Sequence, residues 1–83
     1  MSKHTPGPWT QQPYSDRMVE VFAANGTHIA NVMGDNHDSN AALIAAAPDL
    51  LEALEWISEN HYAHHDIMVE VARAAIAAAR GEG

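Results

Sequence analysis

Cysteine is absent from this 83-residue sequence, and basic residues are scarce. Without cysteine, the chain can form neither disulfides nor thiolate zinc sites. Eleven Asp and Glu against four Lys and Arg give a formal net charge of −7. Such a surface repels a phosphate backbone unless its cations are concentrated, and here the four cations are scattered along the chain. We therefore expect no direct binding of nucleic acid.

Long apolar runs are also missing. No stretch approaches the roughly 20 apolar residues that cross a bilayer, and the first residues lack the charged-then-apolar pattern of a signal peptide. We expect a cytosolic protein with no membrane partner.

Aromatic residues number only five, and much of the 47% hydrophobic content is alanine, which favours helices but buries little area. A chain of this length forms one domain, residues 1–83, with a small core. We expect such a domain to associate with itself into a dimer or a higher oligomer.

A stiff segment of proline and glycine precedes the first predicted strand. Because proline fixes φ and extends the residue before it, residues 6–8 deliver Trp9 to one place at low entropic cost. The strand reaches about Gln12, and Pro13 restricts it to a sheet edge because proline has no amide hydrogen to donate. Trp9 is expected to cover the sheet or the helices, and the alternative is a tryptophan that stacks on a ligand.

The dipeptide Asn25-Gly26 predicts a two-residue hairpin turn with positive φ at both residues. Counting outward from this turn pairs Val21 with Ala30 and Phe22 with Ile29. The register turns a face of valines and alanines toward the helices. Phe22 and Ile29 form an apolar spot on the opposite face, which the N-terminal tryptophan or another subunit would have to cover.

The second half of the chain predicts two helices. The first begins with a cap at Ser39 or Asn40 and carries apolar residues at helical spacing. Pro48 removes a hydrogen bond inside it, so we expect a kink or a break there; a restart with Pro48 in the first turn is the second form. An alanine-rich helix follows over about Asp66–Arg80. The fold class is therefore α+β: a three-stranded antiparallel β-meander (about residues 9–33) followed by a helical part (about residues 39–80) of two helices, the first kinked at Pro48.

Three segments occur in the order HTPGPW, NGTHIANV and NAALIAAAPDLLEALE. Together they resemble a widespread set of small proteins encoded by tailed bacteriophages and prophages, over roughly residues 4–57. The resemblance implies expression in the cytoplasm of an infected bacterium, and it carries over no catalytic or binding residue. Small accessory phage proteins of this kind often act by binding: some block host immune machinery, as anti-CRISPR proteins do, and some sequester nucleotide immune signals.

A histidine-rich segment invites a metal hypothesis, because a His-x-x-His pair can place two imidazoles on one side of a helical turn. Neither an HExxH motif nor a Cys/His framework accompanies it. We therefore expect exposed loop histidines, with no metal and no cofactor. The residues concerned are His61, His64, His65 and Asp66, with Asp35, His37 and Asp38 as a second group.

Motifs that carry catalysis are missing as well. The sequence has no GxSxG elbow and no Gly-rich phosphate loop. Its carboxylate pairs have the spacing of a solvated helix surface. We expect no enzymatic activity.

Three functions follow as hypotheses. The first is a non-enzymatic phage protein that binds and inhibits a host defence protein, an anti-CRISPR being one form. Its contact surface is then the acidic side of the helix after residue 40, although such charges also serve simple solubility. That surface comprises Asp49, Glu52, Glu55 and Glu59.

The second hypothesis is an oligomeric sponge for a small nucleotide immune signal, in which arginines meet phosphate and tryptophans stack on a base. Its candidate ligand residues are Trp9, Arg17, Trp56, Arg73 and Arg80. The third is a structural or replication-accessory phage subunit.

Overall fold

A computed structural model describes residues 4–60 and 64–81 of the chain, which form a sheet followed by three helices. The strands are β1 (Trp9–Ser15), β2 (Met18–Ala23) and β3 (His28–Met33). They form an antiparallel sheet in the order β1-β2-β3. The helices are α1 (His37–Ala45), α2 (Ala47–Glu59) and α3 (His65–Ala79). The predicted α+β class and the three-stranded antiparallel meander are confirmed.

The edge strand β1 carries both the proline and the tryptophan. Pro13 pairs with Val19 of β2, and the register shifts between Pro13 and Ser15. Trp9 pairs with Ala23 and packs against the core cluster on the helix-facing side of the sheet. Its indole Nε1 donates a hydrogen bond of 3.1 Å to the carbonyl oxygen of Thr5. Trp9 therefore covers the core of its own chain and holds the preceding segment against itself.

The turn between β2 and β3 is one residue longer than the predicted two-residue turn. The amide of Gly26 donates to the Ala23 carbonyl at 3.0 Å, and the amide of Ala23 donates to the Thr27 carbonyl at 2.9 Å. Gly26 has φ of +89°, whereas Asn25 does not have a positive φ. The side-chain Oδ1 of Asn25 instead accepts a hydrogen bond of 3.0 Å from the Thr27 amide. This is the three-residue hairpin loop in which one glycine takes the left-handed conformation.

Because the turn is longer, part of the predicted register is wrong. Val21 pairs with Ala30 as predicted, but Phe22 pairs with His28 instead of Ile29. The register shifts between Val21 and Phe22, which leaves Ile29 without a paired residue in β2, and Ile29 packs against the core. Phe22 stays on the open face of the sheet, where its ring meets the imidazole of His28 edge-on at 5.3 Å. The prediction of a joint Phe22–Ile29 apolar spot is therefore wrong.

Pro48 divides the first predicted helix into α1 and α2, which gives three helices instead of two. α1 ends at Ala45, and Pro48 occupies the first turn of α2, where its missing amide hydrogen leaves no helical bond unmade. The amide of Leu50 donates to the carbonyl of Ala46 at 2.9 Å and so starts the new helix. The expected discontinuity takes the form of a break with a restart.

The predicted start of α1 is wrong by a few residues. The N-cap is Asn36, and neither Ser39 nor Asn40 has that role. Gly34, with φ of +110°, turns the chain directly after β3, so the helix begins earlier than the polar loop suggested. The imidazole Nδ1 of His37 lies 2.8 Å from the Gly34 carbonyl oxygen and ties the first helical residue to this turn.

The core lies between the sheet and α1, which packs on all three strands. Its centre is formed by Val19, Val21, Val32 and Ala41. Within residues 4–60 and 64–81, the buried aliphatic side chains are all valine or alanine. The core is therefore built from small side chains.

The helices α2 and α3 pack along each other, and α3 also contacts α1. The chain measures 45 × 25 × 15 Å and has a Cα radius of gyration of 14.1 Å. A compact domain of 83 residues has a radius of about 12 Å. The helical pair thus extends the molecule away from the sheet. None of the described helices combines the length and the apolar character needed to cross a bilayer.

Candidate functional site: an acidic groove between α2 and α3

An open groove of about 460 Å³ lies between α2 and α3. Half of its lining residues are alanines of the two helices, because small side chains leave a hollow where two helices pack closely. They are Ala53, Ala74, Ala75 and Ala78. The remaining lining is formed by Val71, Trp56, Asp49 and Glu52.

Trp56 is the aromatic side chain of this groove. It is half-buried in the last turn of α2. Its carbonyl oxygen accepts hydrogen bonds from both the amide of Asn60 (2.9 Å) and the Nδ2 of Asn60 (2.8 Å). These bonds close the last turn of α2, which ends at Glu59. The half-buried indole offers an apolar surface to the groove.

Two carboxylates form the acidic edge of the groove. Asp49 lies in the first turn of α2, where the positive end of the helix dipole favours a negative charge. Glu52 follows three residues later on the same side, and both side chains are exposed. In the described part of the chain, the ion pairs join His28 to Glu20 and His37 to Asp38. Within this part, neither Asp49 nor Glu52 belongs to an ion pair.

The other two predicted contact residues face elsewhere. Glu55 lines a second hollow, of about 240 Å³, which it shares with Glu52 and Pro48 and with the N-terminal residues His4 and Gly7. Glu59 is exposed in the last turn of α2 and is not among the residues lining either hollow. Glu52 lines both hollows, so the predicted acidic surface extends across two adjoining hollows along α2.

The chain matches the family described as Salmonella phage P22 protein Y8K6 over residues 1–83. The chain belongs to this phage protein family. The expectation of a phage protein family is confirmed. Comparisons with curated proteins and with solved structures give no match.

The structure of this phage protein separates the residues predicted for a nucleotide sponge. Trp9 packs on the core, and Trp56 lies in the groove. Arg17 lines a hollow at the far end of the sheet. Arg73 and Arg80 lie on α3 and at its C-cap, and each lines a further hollow. One chain therefore does not bring these five residues into one pocket.

The histidines of the phage protein also lie in separate parts of the fold. His61 lies outside the described residues. His64 is the N-cap of α3 and His65 its first residue, while His37 bonds the Gly34 carbonyl. Among the residues that the structure describes, no group of three His, Asp or Glu side chains is placed to hold a metal ion.

The α3 side of the groove in the phage protein was not predicted from the sequence. Val71, Ala74 and Ala78 were assigned only to an alanine-rich helix. Their spacing of three and four residues was the available signal, because it places small side chains on one helix face. What the spacing alone does not show is that this face borders the carboxylates of α2.

Proposed function

We propose that this phage protein is a non-enzymatic binding protein that inhibits a host antiviral defence component in the cytoplasm of the infected bacterium. Anti-CRISPR activity is one form of this function. The observation that carries the proposal is the groove between α2 and α3, where an apolar surface with a half-buried Trp56 meets two exposed carboxylates. Such a combination suits protein recognition, because aromatic anchors supply binding energy and charges supply specificity.

The shape of the groove indicates what kind of segment it takes. Its apolar surface is lined by small side chains, so a helix or an extended peptide can approach closely. The edge formed by Asp49 and Glu52 favours a segment with lysine or arginine beside its apolar residues. Proteins that handle nucleic acid commonly carry basic surfaces, and many defence components belong to that class. The net charge of −7 adds long-range attraction to such a partner.

The lining of the groove also supports a non-enzymatic role. Among the described lining residues, the side chains are alanine, valine, tryptophan and two carboxylates. General acid–base or nucleophilic catalysis needs a nucleophile beside a positioned base, or two carboxyl groups facing one substrate. Asp49 and Glu52 instead lie side by side at the edge of one helix.

The experiment is a pull-down of the tagged protein from lysate of infected host cells. Retained proteins and heat-released small molecules are both identified by mass spectrometry. Retention of a host defence subunit at fixed stoichiometry supports the proposal. Release of a nucleotide without a protein partner would contradict it and favour the sponge, and retention of phage proteins alone would favour a structural or replication role.

Two matched variants locate the contact in the same experiment. Glu52→Lys reverses a charge at the groove, and Glu70→Lys makes the same change on α3, where Glu70 lines a different hollow. We expect the first variant to lose the defence subunit and the second to retain it. Equal retention by both variants would remove the groove as the contact site.

A further inference from the structure

The large aliphatic side chains of this protein lie mostly on its outside. The buried aliphatic residues of the described chain are valine and alanine. In contrast, Leu43 is 52% exposed, Leu54 64% and Ile76 45%. Folding usually places leucine and isoleucine inside and leaves smaller residues to the surface. Because of this reversed distribution, a single chain leaves its largest aliphatic side chains in contact with water, and their burial would require a partner.

Three helices bring these side chains to one surface. Leu43 of α1, Leu50 of α2 and Ile76 and Ala79 of α3 line a shallow hollow of about 560 Å³. Leu54 lies one helical turn beyond Leu50 on the same side of α2. We call this surface, formed by Leu43, Leu50, Leu54, Ile76 and Ala79, the leucine face.

The chain exposes more area than a compact monomer of its mass, and the excess is large enough for a dimer interface. A compact monomer of 9.0 kDa exposes about 4,900 Å², whereas this chain exposes 6078 Å². The excess of about 1,200 Å² exceeds the roughly 800 Å² that each partner contributes to a standard interface. It lies in the range of permanent homodimers, which bury at least about 1,000 Å² on each subunit.

The charges at the leucine face and at the groove differ, and this difference favours the leucine face as the dimer interface. The leucine-face hollow is bordered by Ser39, Asn40 and one cation, Arg80. The groove carries Asp49 and Glu52, so two copies joined through their grooves would bring like charges together. The leucine face is therefore the surface that can meet a copy of itself without acidic repulsion.

We propose that a second copy of this chain covers the leucine face and forms a dimer with two-fold symmetry. A two-fold axis makes the same patch bind itself, so each leucine face supplies both the projecting side chains and the surface that receives them. The dimer leaves both acidic grooves open, because they lie on the other side of the α2–α3 pair. It does not depend on the proposed inhibitory function.

The test is the molar mass of the full chain by light scattering and sedimentation equilibrium over a concentration series. Mass is needed because a 45 Å long monomer would elute early from a sizing column. We expect the wild-type mass to be twice 9.0 kDa. The double variant Leu54→Lys/Ile76→Lys is expected to fall to one chain mass, because each lysine would be buried without a partner at the interface.

The matched control is Leu51→Lys/Ile67→Lys. It makes the same residue changes in α2 and α3 at positions that are 39% and 49% exposed and lie off the leucine face. This control is expected to keep the wild-type mass, and circular dichroism checks that both double variants are folded. A monomeric wild type overturns the proposal. So does an oligomer that persists in the folded leucine-face variant, or one that dissociates only in the control.

Discussion

Gly7 lies against the ring of Pro48, so closely that a side chain on Gly7 would require one of the two to shift by a few tenths of an ångström. A Cβ atom on Gly7 would be 3.0 Å from the Cβ and 3.3 Å from the Cγ of Pro48. The contact joins the segment HTPGPW to the segment NAALIAAAPDLLEALE, two of the three segments on which the phage resemblance was based. It fixes the N-terminal segment against the first turn of α2, next to the hollow that contains Glu55.

This contact predicts that Gly7→Ala destabilises the protein. The added methyl group has to push the N-terminal segment away from Pro48, and overpacking of this kind costs about 1–3 kcal/mol. The measurement is the midpoint of urea unfolding followed by circular dichroism. Thr10→Ala, at an exposed site in β1, is the control and is expected to leave the midpoint nearly unchanged. An unchanged midpoint for Gly7→Ala would contradict this prediction, because it would mean that the N-terminal segment can move away from Pro48 without loss of stability.

A second prediction concerns the β2–β3 turn. Gly26 has φ of +89°, and nothing lies within 4 Å of a Cβ at this position. Gly26→Ala therefore adds backbone strain without a collision, and we expect a loss of about 1 kcal/mol of unfolding free energy. Gly26→Asn should lose less, because asparagine tolerates the left-handed region. Equal losses in thermal unfolding would contradict a left-handed residue at this turn.

The third prediction tests the core. Val21 is fully buried in the central strand, and Met33 in the neighbouring strand is 67% exposed. Val21→Ala is expected to cost about 2–3 kcal/mol, because it removes two methyl groups from a packed site. Met33→Ala removes more atoms but should change stability little. If the two variants unfolded at the same denaturant concentration, the assignment of β2 to the core would fail.

The fourth prediction separates the groove from general acidity. The pair Asp49→Lys/Glu52→Lys and the pair Glu55→Lys/Glu59→Lys change the net charge equally, but only the first pair lies in the groove. We expect the first pair to abolish protection of the phage in a plating assay on a defence-carrying host. The second pair should retain protection.

Both pairs need a check of folding, since Asp49 also interacts with the N-terminus of α2. Loss of protection in both folded variants would mean that overall charge, which salt screens, attracts the partner. That outcome would refute the specific role of the groove.

Local features of the fold could be predicted from the sequence because they depend on neighbouring residues. Pro13 placed β1 at an edge, and Pro48 marked a discontinuity in the helix. The predicted pairing of Val21 with Ala30 is present, because a register shift between Val21 and Phe22 offsets the longer turn. The error at Phe22 arose because Asn-Gly occurs both in two-residue turns and in three-residue turns with one left-handed glycine. The sequence pattern alone does not distinguish these two forms.

Features that depend on the path of the whole chain could not be predicted. The contact between Gly7 and Pro48 joins two residues that lie 41 positions apart in the sequence. The groove likewise requires that Ala74 and Ala78 lie beside Asp49 and Glu52. Periodicity identifies a small-residue face on α3 but not the helix it meets. For the same reason, the sequence did not show that Asp49 and Glu55 border different hollows, with Glu52 lining both.

The small side chains at the centre of this protein also determine which substitutions its lineage can accept. Ala41 is completely buried, and Ala46 nearly so. Alanine loses little by truncation, but a larger side chain at either position would have to displace its packed neighbours. In this interior, substitution by a larger residue is therefore the damaging change, whereas truncation of a large side chain is the usual one in protein cores. Related sequences are expected to vary in side-chain size on the outer helix faces while positions 41 and 46 stay small.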